Sequence, residues 1–129
     1  EAKARGCEVR LLPTAPVEIR GDGELLRRAV ENVVRNAIRY APPGTAVDVS
    51  LQGQTVRVRD YGPGVPEESL PRLFDAFYRV DGDRNRNSGG VGLGLAIARR
   101  AVELHKGRIE ARNAKPGLEV EIALGQSSG

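Results

Sequence analysis

The sequence predicts an α+β fold in which a mixed, mostly antiparallel sheet is covered on one face by helices. Three observations carry that expectation. Two long segments repeat their apolar residues at the helical period, and the other apolar residues fall in short β-prone runs separated by Gly and Pro. The elements alternate as β-β-α-β-β-α-β-β, which supplies hairpins in place of the β-α-β units of a parallel sheet. A length of 129 residues leaves room for one hydrophobic core and one domain.

Taken in order, Glu1 to Arg5 are helix-prone and stop at Gly6, as the last turn of a helix with its body upstream would. Cys7 to Leu12 and Val17 to Arg20 read as strands parted by Pro13 and Pro16. Asp22 is placed to cap a helix running to about Ala41, in which Leu26, Ala29, Val30, Val33, Ala37 and Ile38 form one buried stripe. Pro42-Pro43-Gly44 ends it, since proline has no N–H to continue the ladder. Ala46 to Leu51 sets Val47, Val49 and Leu51 inward against Asp48 and Ser50 outward, and Gln52-Gly53-Gln54 turns it into a second strand, Thr55 to Arg59. Asp60 to Gly64 break into a turn, and Glu67 to Phe74 is a short helical stretch after Pro66. Asp81 to Gly90 is a polar loop with no apolar anchor, expected to be mobile. A second long helix, Leu93 to His105, carries Leu95, Ile97, Ala98, Ala101, Val102 and Leu104 as its apolar residues, with Gly107 expected to end it. Strands Arg108 to Asn113 and Leu118 to Leu124 close the domain before a loose tail, Gly125 to Gly129.

Composition narrows the function. With 40% hydrophobic and 29% charged residues the chain is too apolar for disorder and too charged for a membrane-embedded protein. No apolar run approaches the roughly 18 residues of a spanning helix, and Glu-Ala-Lys-Ala-Arg is no signal peptide. A lone Cys7 allows neither an internal disulfide nor a cysteine-built zinc site, and with a lone His105 any metal must be held by oxygen. The net charge of +3 comes without a dense basic run or interleaved aromatics, so nucleic acid is not expected as a partner. A phosphate-bearing small ligand fits that charge as well.

Three constellations bear chemistry. Asn32, Asn36 and Arg39 stack on one stripe beside the apolar face of the first long helix. Amide oxygens can ligate Mg²⁺ when a substrate's phosphates supply the negative charge, and an arginine can neutralise a phosphate oxygen; a solvated helix flank is the competing explanation. Asp60-Tyr61-Gly62-Pro63-Gly64 follows a strand directly. Its carboxylate could accept from an exocyclic amine such as adenine N6, and the glycines leave room for a flat ring, although the same residues also make an ordinary turn. Gly89-Gly90-Val91-Gly92-Leu93-Gly94-Leu95 opens the second helix and can offer backbone N–H groups to an anion, or serve as a hinge. Each signal is weak alone. Together, in this order, they supply the metal, base and phosphate parts of one nucleotide site.

These residues resemble the catalytic, ATP-binding domain of sensor histidine kinases, in the superfamily that also holds gyrase B, the MutL repair proteins and the heat-shock ninety chaperones. Glu31 to Tyr40 is similar to the N box, Asp60 to Val65 to the G1 box, Leu73 to Arg79 to the F box and Gly90 to Leu95 to the G2 box. Phe77 to Asp81 and Ser88 to Gly90 look closest to the envelope-stress sensors of the CpxA type. The resemblance implies a Bergerat-type α/β sandwich with ATP beneath a flexible lid, about Phe77 to Val91. It implies Mg²⁺ on Asn36 and Asn32, phosphates and the adenine wall beside Arg39 and Tyr40, and adenine N6 on Asp60 with room left by Gly62 and Gly64. Gly90, Gly92, Leu93 and Gly94 would give backbone N–H groups to the phosphates. Arg79 would reach the γ-phosphate or the acceptor domain, and the loop residues Arg84 and Arg86 are weaker candidates for the same role.

Asn32 discriminates within that superfamily. Its ATPases and anti-sigma serine kinases usually carry a Glu there, and an amide cannot take the proton that such a Glu takes. This favours transfer of the γ-phosphoryl of Mg-ATP to a histidine imidazole over a superfamily ATPase, a serine kinase or a degenerate partner-binding module. Tyr61 departs from the Asn or Asp more usual in the family, a change that bears on the mouth of the pocket without abolishing binding. The phosphoacceptor histidine box is absent, and His105 is read as structural. The expectation is therefore a catalytic domain over 7–125, preceded by the end of an upstream dimerisation helix, 1–6, and followed by a tail, 126–129. Its partners would be the histidine-bearing dimerisation domain of the same protein and a downstream response regulator. The chain alone would be a monomer that does not autophosphorylate, cut from a dimeric inner-membrane sensor with this part in the cytoplasm.

Overall fold

A computed structural model describes residues 8–11, 23–76, 78 and 93–124. Glu8–Leu11 form strand β1, Gly23–Tyr40 helix α1, Ala46–Gln52 and Thr55–Arg59 strands β2 and β3, and Glu67–Arg72 a short 3₁₀ helix. Gly94–Leu104 form helix α2, and Arg108–Asn113 and Leu118–Ala123 strands β4 and β5. The strands lie in the order β1-β2-β3-β5-β4, with β1 parallel to β2 and the other three pairings antiparallel. This is the expected mixed, mostly antiparallel sheet. The strand expected at Val17 to Arg20, the cap at Asp22, the loop Asp81 to Gly90 and the two chain ends lie outside the described residues.

The core lies between the sheet and the two helices. Val47, Val56, Val58, Val120 and Ile122 are buried on one sheet face, against Ala29, Val33, Ala37 and Ile38 of α1 and Leu95, Ala98, Ala101 and Val102 of α2. Two of the buried residues on each helix are alanines, Ala29 and Ala37 on α1 and Ala98 and Ala101 on α2. Of the apolar residues the sequence places on α2, Leu95, Ala98, Ala101 and Val102 are buried, while Ile97 and Leu104 are 49% and 55% exposed. Ile122, next to last in β5, is 1% exposed, so Ile122→Val is expected to cost about 1 kcal/mol. Urea unfolding would show it as a lower midpoint with an unchanged slope, and an unchanged midpoint would mean that Ile122 is not closely packed.

The opposite sheet face is polar. Asp48 on β2, Arg59 on β3, Glu119 on β5 and Arg112 on β4 are register partners in turn, so charge alternates across the sheet. Such cross-strand pairs each add a few tenths of a kcal/mol up to about 1 kcal/mol. Among the described residues no helix is long and apolar enough to cross a membrane.

Two local expectations are refined. The stretch after Pro66 is a 3₁₀ helix ending at Arg72, because Pro71 inside it has no N–H for an α-helical ladder. At the end of α2 the left-handed residue is Lys106, with φ 61°, where Gly107 was expected to end the helix. Lys106 N–H donates to the Glu103 carbonyl and Gly107 N–H to that of Val102, both at 2.9 Å, which is the Schellman pattern one residue earlier. Gly107 is required for space, since a Cβ there would overlap the Ala123 carbonyl oxygen. His105 sits in the same cap, its Nδ1 2.8 Å from the Ala101 carbonyl.

Candidate functional site

The site begins where β3 ends. Asp60 is only 2% exposed, although it carries a carboxylate. Its Oδ1 accepts from the Gly62 N–H at 2.8 Å and the Leu118 N–H at 3.3 Å, while its own N–H donates to the Leu118 carbonyl at 3.0 Å. Oδ2 has no hydrogen-bond donor among the described residues and is not sealed from solvent. Burial pushes the Asp60 carboxyl above the usual carboxylate range, against the opposing pull of those two backbone donors and the Arg59 charge. A fixed, half-satisfied acceptor at the edge of the core is costly to hold and is suited to a donor from outside.

The glycines around it answer to close packing. A Cβ on Gly62 would overlap the carbonyl oxygen of Tyr40, at the end of α1. Gly62 therefore lets the turn rest against the helix that carries Asn32, Asn36, Arg39 and Tyr40. Gly64 has φ +77°, and a Cβ there would lie 2.6 Å from Oδ1 of Asn113.

That last contact reveals residues that sequence reasoning missed. Asn113, at the end of β4, accepts from the Val65 N–H at 2.9 Å and donates to the Val65 carbonyl at 2.8 Å and to Glu67 Oε2 at 3.3 Å. Gly117, with φ +94°, packs so closely on the Asp60 carbonyl that any Cβ would overlap it. The turn that joins β4 to β5 thus underlies the Asp60 turn from one end to the other. The only signal for either residue was the Asn-x-x-Pro-Gly spacing between two strands, which reads as an ordinary hairpin.

Tyr61 alternates away from Asp60. Its hydroxyl donates to Asp48 Oδ2 at 2.6 Å on the polar sheet face, and the Arg59 guanidinium lies 4.3 Å from its ring centroid. Its side chain is thus engaged on β2 and β3, on the face away from the helices. Arg59 also donates to the Pro116 carbonyl at 3.0 Å, tying the same cluster to the β4–β5 turn.

The amide stripe meets the start of α2. Asn32 donates from Nδ2 to the Arg28 carbonyl at 3.0 Å, which turns Oδ1 toward Gly94, 3.5 Å from where a Cβ on that residue would stand. Asn36, one turn further along α1, is half-exposed, as are Arg39 and Tyr40. Leu93 precedes the first residue of α2 with no side-chain cap, so the first N–H groups of the helix are free of capping by Leu93. The sequence-predicted residues Asn32 and Gly94 are therefore neighbours, and Tyr40 and Gly62 are in contact. Arg79, Gly90 and Gly92 lie outside the described residues. Within the 3₁₀ segment, Ser69 is buried and pairs with the Tyr78 hydroxyl at 2.8 Å, with the Arg72 guanidinium 4.9 Å from the Tyr78 ring centroid. Among the described residues no group of three or more His, Cys, Asp or Glu could hold a metal ion.

Comparison with known proteins gives a consistent picture. The family described as histidine kinase-, DNA gyrase B-, and HSP90-like ATPase matches residues 21–127. The sensor histidine kinase CpxA of Escherichia coli (strain K12) is 43% identical over 109 residues, covering 81% of this chain and 23% of that protein. The chain spans a fifth to about a quarter of the length of the curated relatives it matches. Among solved structures, the mycobacterial sensor histidine kinase MprB superposes with a TM-score of 0.80 at 32% identity, covering 95% of this chain and 84% of that one. Full-length ShkA, solved in complex with AMPPNP, superposes with a TM-score of 0.74 at 27% identity, covering 98% of this chain and 28% of that one.

Proposed function

The chain belongs to the histidine kinase-, DNA gyrase B-, and HSP90-like ATPase family, and from that premise we propose that it is the ATP-binding catalytic part of a sensor histidine kinase. The observation that carries the reading is Asp60, a buried carboxylate with one oxygen saturated by backbone donors and the other open. An acceptor fixed in that way suits the exocyclic amine of adenine, and the bare backbone at Gly62 and Gly64 suits a flat ring beside it. The AMPPNP bound in ShkA supports nucleotide as the ligand class.

In this reading Asn36 and Asn32 offer amide oxygens to Mg²⁺, which when bound draws negative charge from the phosphate oxygens. Arg39 adds a fixed positive charge beside them, Tyr40 borders the base, and the backbone at Gly90, Gly92, Leu93 and Gly94 supplies N–H donors. Arg79 serves the γ-phosphate or the acceptor domain. The nucleophile is an imidazole nitrogen of a histidine on a dimerisation domain upstream of residue 1. Its lone pair forms the P–N bond, the bond from the γ-phosphorus to the β–γ bridging oxygen breaks, ADP leaves with that electron pair, and the imidazole proton passes to the acceptor domain or solvent. The work of this chain is positioning and charge neutralisation, in keeping with the amide at Asn32, which is not a base.

The wider assignments follow the sensor kinases among its relatives. Residues 7–125 form the catalytic domain, 1–6 the end of the upstream helix and 126–129 a tail. The phosphohistidine then serves a response regulator, and the whole protein is an inner-membrane dimer with this part in the cytoplasm. The test is calorimetric titration of the chain with the β,γ-imido analogue of ATP, with and without Mg²⁺. Micromolar binding strengthened by Mg²⁺ is expected, and Asn36→Ala should remove roughly tenfold or more of the Mg²⁺-dependent gain. A well-folded chain that binds no nucleotide overturns the reading.

A further inference from the structure

We infer that Asn113 is a positioning residue for base selection, holding the Asp60 turn in the one register that aims its open carboxylate oxygen at an exocyclic amine. The inference rests on the reading of Asp60 as the base acceptor. The turn is a bow with two ends. At the first, Asp60 is bonded to Leu118 through its N–H at 3.0 Å and through Oδ1 at 3.3 Å. At the second, the Asn113 amide closes a two-way pair with the Val65 backbone, accepting at 2.9 Å and donating at 2.8 Å. Asn113 and Leu118 are themselves register partners across β4 and β5. Both ends of the bow are therefore strung on one rung of the sheet, and the segment between them carries Gly62 against the Tyr40 carbonyl. A primary amide is the one short side chain that can mimic a peptide group here, with a donor and an acceptor side by side. Gly64 completes the fit, because a Cβ there would lie 2.6 Å from the Asn113 oxygen.

Release of the second end leaves Asp60 buried but lets the turn shift along the sheet, and an acceptor that wanders by a fraction of an ångström loses its discrimination before its affinity. Asn113→Asp is the sharpest probe. It keeps shape and volume, but it replaces the Nδ2 donor with an oxygen that faces the Val65 carbonyl and lies beside Glu67. Asn113→Ala removes both bonds without adding repulsion.

The experiment measures dissociation constants of the full chain for the β,γ-imido analogues of ATP and ITP, the latter carrying a carbonyl where ATP carries the amine. The parent chain is expected to prefer the ATP analogue by about tenfold or more. Asn113→Asp and Asn113→Ala should each cut that ratio several-fold toward unity. Ile122→Val, destabilised in the core, should leave the ratio unchanged, which separates positioning from general loss of stability. A parent chain without preference overturns the reading of Asp60 and this inference with it. A parent preference that both Asn113 variants retain overturns the inference alone. Should neither variant fold, amide exchange at Val65 in the parent decides: slower exchange with the ATP analogue than with the ITP analogue supports the role, and equal rates overturn it.

Discussion

Asp60→Asn is expected to bind the imido analogue of ATP roughly 10–100-fold more weakly than the parent, and at neutral pH to unfold at a higher temperature. The two effects have one origin. The oxygen of the substituted amide can still accept from Gly62 and Leu118, so the turn keeps its shape. The amide nitrogen then takes the place of Oδ2 and presents a donor to a donor. A lost hydrogen bond with such a mismatch costs about 1–3 kcal/mol, which is the stated range in affinity. Stability moves the other way because burial holds the Asp60 carboxyl above its ordinary value of 3.8. A raised carboxyl means that the folded chain binds the proton more tightly than the unfolded chain does. Its contribution to stability is therefore full below 3.8 and is lost as pH rises through the raised folded value. Above that window the ionised, buried carboxylate carries a constant cost that an amide does not. The melting difference between variant and parent should accordingly open as pH rises through the window, stay level at neutral pH and close in acid. Melting curves across pH, beside the titration, check both halves. A variant that keeps parental affinity defeats the assignment of Asp60, and a melting difference indifferent to pH defeats its electrostatic explanation.

The same residue shows why the fold was largely legible in the sequence while the support of the site was not. Helices α1 and α2 announce themselves through apolar residues at the helical period, and the β2–β3 hairpin through Gly53 between alternating strands; these are local signals, read within a dozen residues. Asp60, Gly62 and Gly64 were legible as a group because the carboxylate and glycines are adjacent. Asn113 and Gly117 were not, because what they do is defined by distant partners: Asn113 bonds to Val65, 48 positions away, and Gly117 packs on Asp60 beside the Leu118–Asp60 bond, which spans 58 positions. Nothing in Asn-x-x-Pro-Gly says which turn it will lie under. Only the placement of β5 between β3 and β4 brings the hairpin beneath the site. Burial within α2 was likewise not legible: its apolar residues include Ile97 and Leu104, yet these two are exposed while Leu95, Ala98, Ala101 and Val102 are buried, a division set by tertiary neighbours rather than by residue type. The left-handed position at Lys106 was missed because Gly107 drew the expectation by residue type, whereas close approach to the Ala123 carbonyl fixes glycine at 107 and leaves the cap to its neighbour.

Gly117→Ala should be among the most damaging single-methyl additions in the chain, far worse than the same change at Gly53. Both glycines have positive φ, +94° and +62°, so each substitution incurs the left-handed penalty of about 1–2 kcal/mol. They differ in what the methyl meets. At Gly53 there is nothing within 4 Å. At Gly117 the new Cβ would overlap the Asp60 carbonyl oxygen and lie 2.7 Å from the Asp60 carbonyl carbon and 2.9 Å from the Tyr61 Cα, all backbone atoms with no rotamer to escape into. Relief requires the β4–β5 turn to move off the Asp60–Tyr61 peptide, which stretches both Asp60–Leu118 bonds and the Arg59 bond to Pro116. A total of roughly 3 kcal/mol or more is expected at Gly117, against about 1 kcal/mol at Gly53. Since the parts that separate are the ones that aim Asp60, nucleotide affinity should fall in Gly117→Ala even at temperatures where it remains folded, and stay parental in Gly53→Ala. Urea midpoints and titrations on the pair give a direct comparison. Equal destabilisation of the two would mean that the hairpin is free to yield, and that the Asp60 turn is held from some other side.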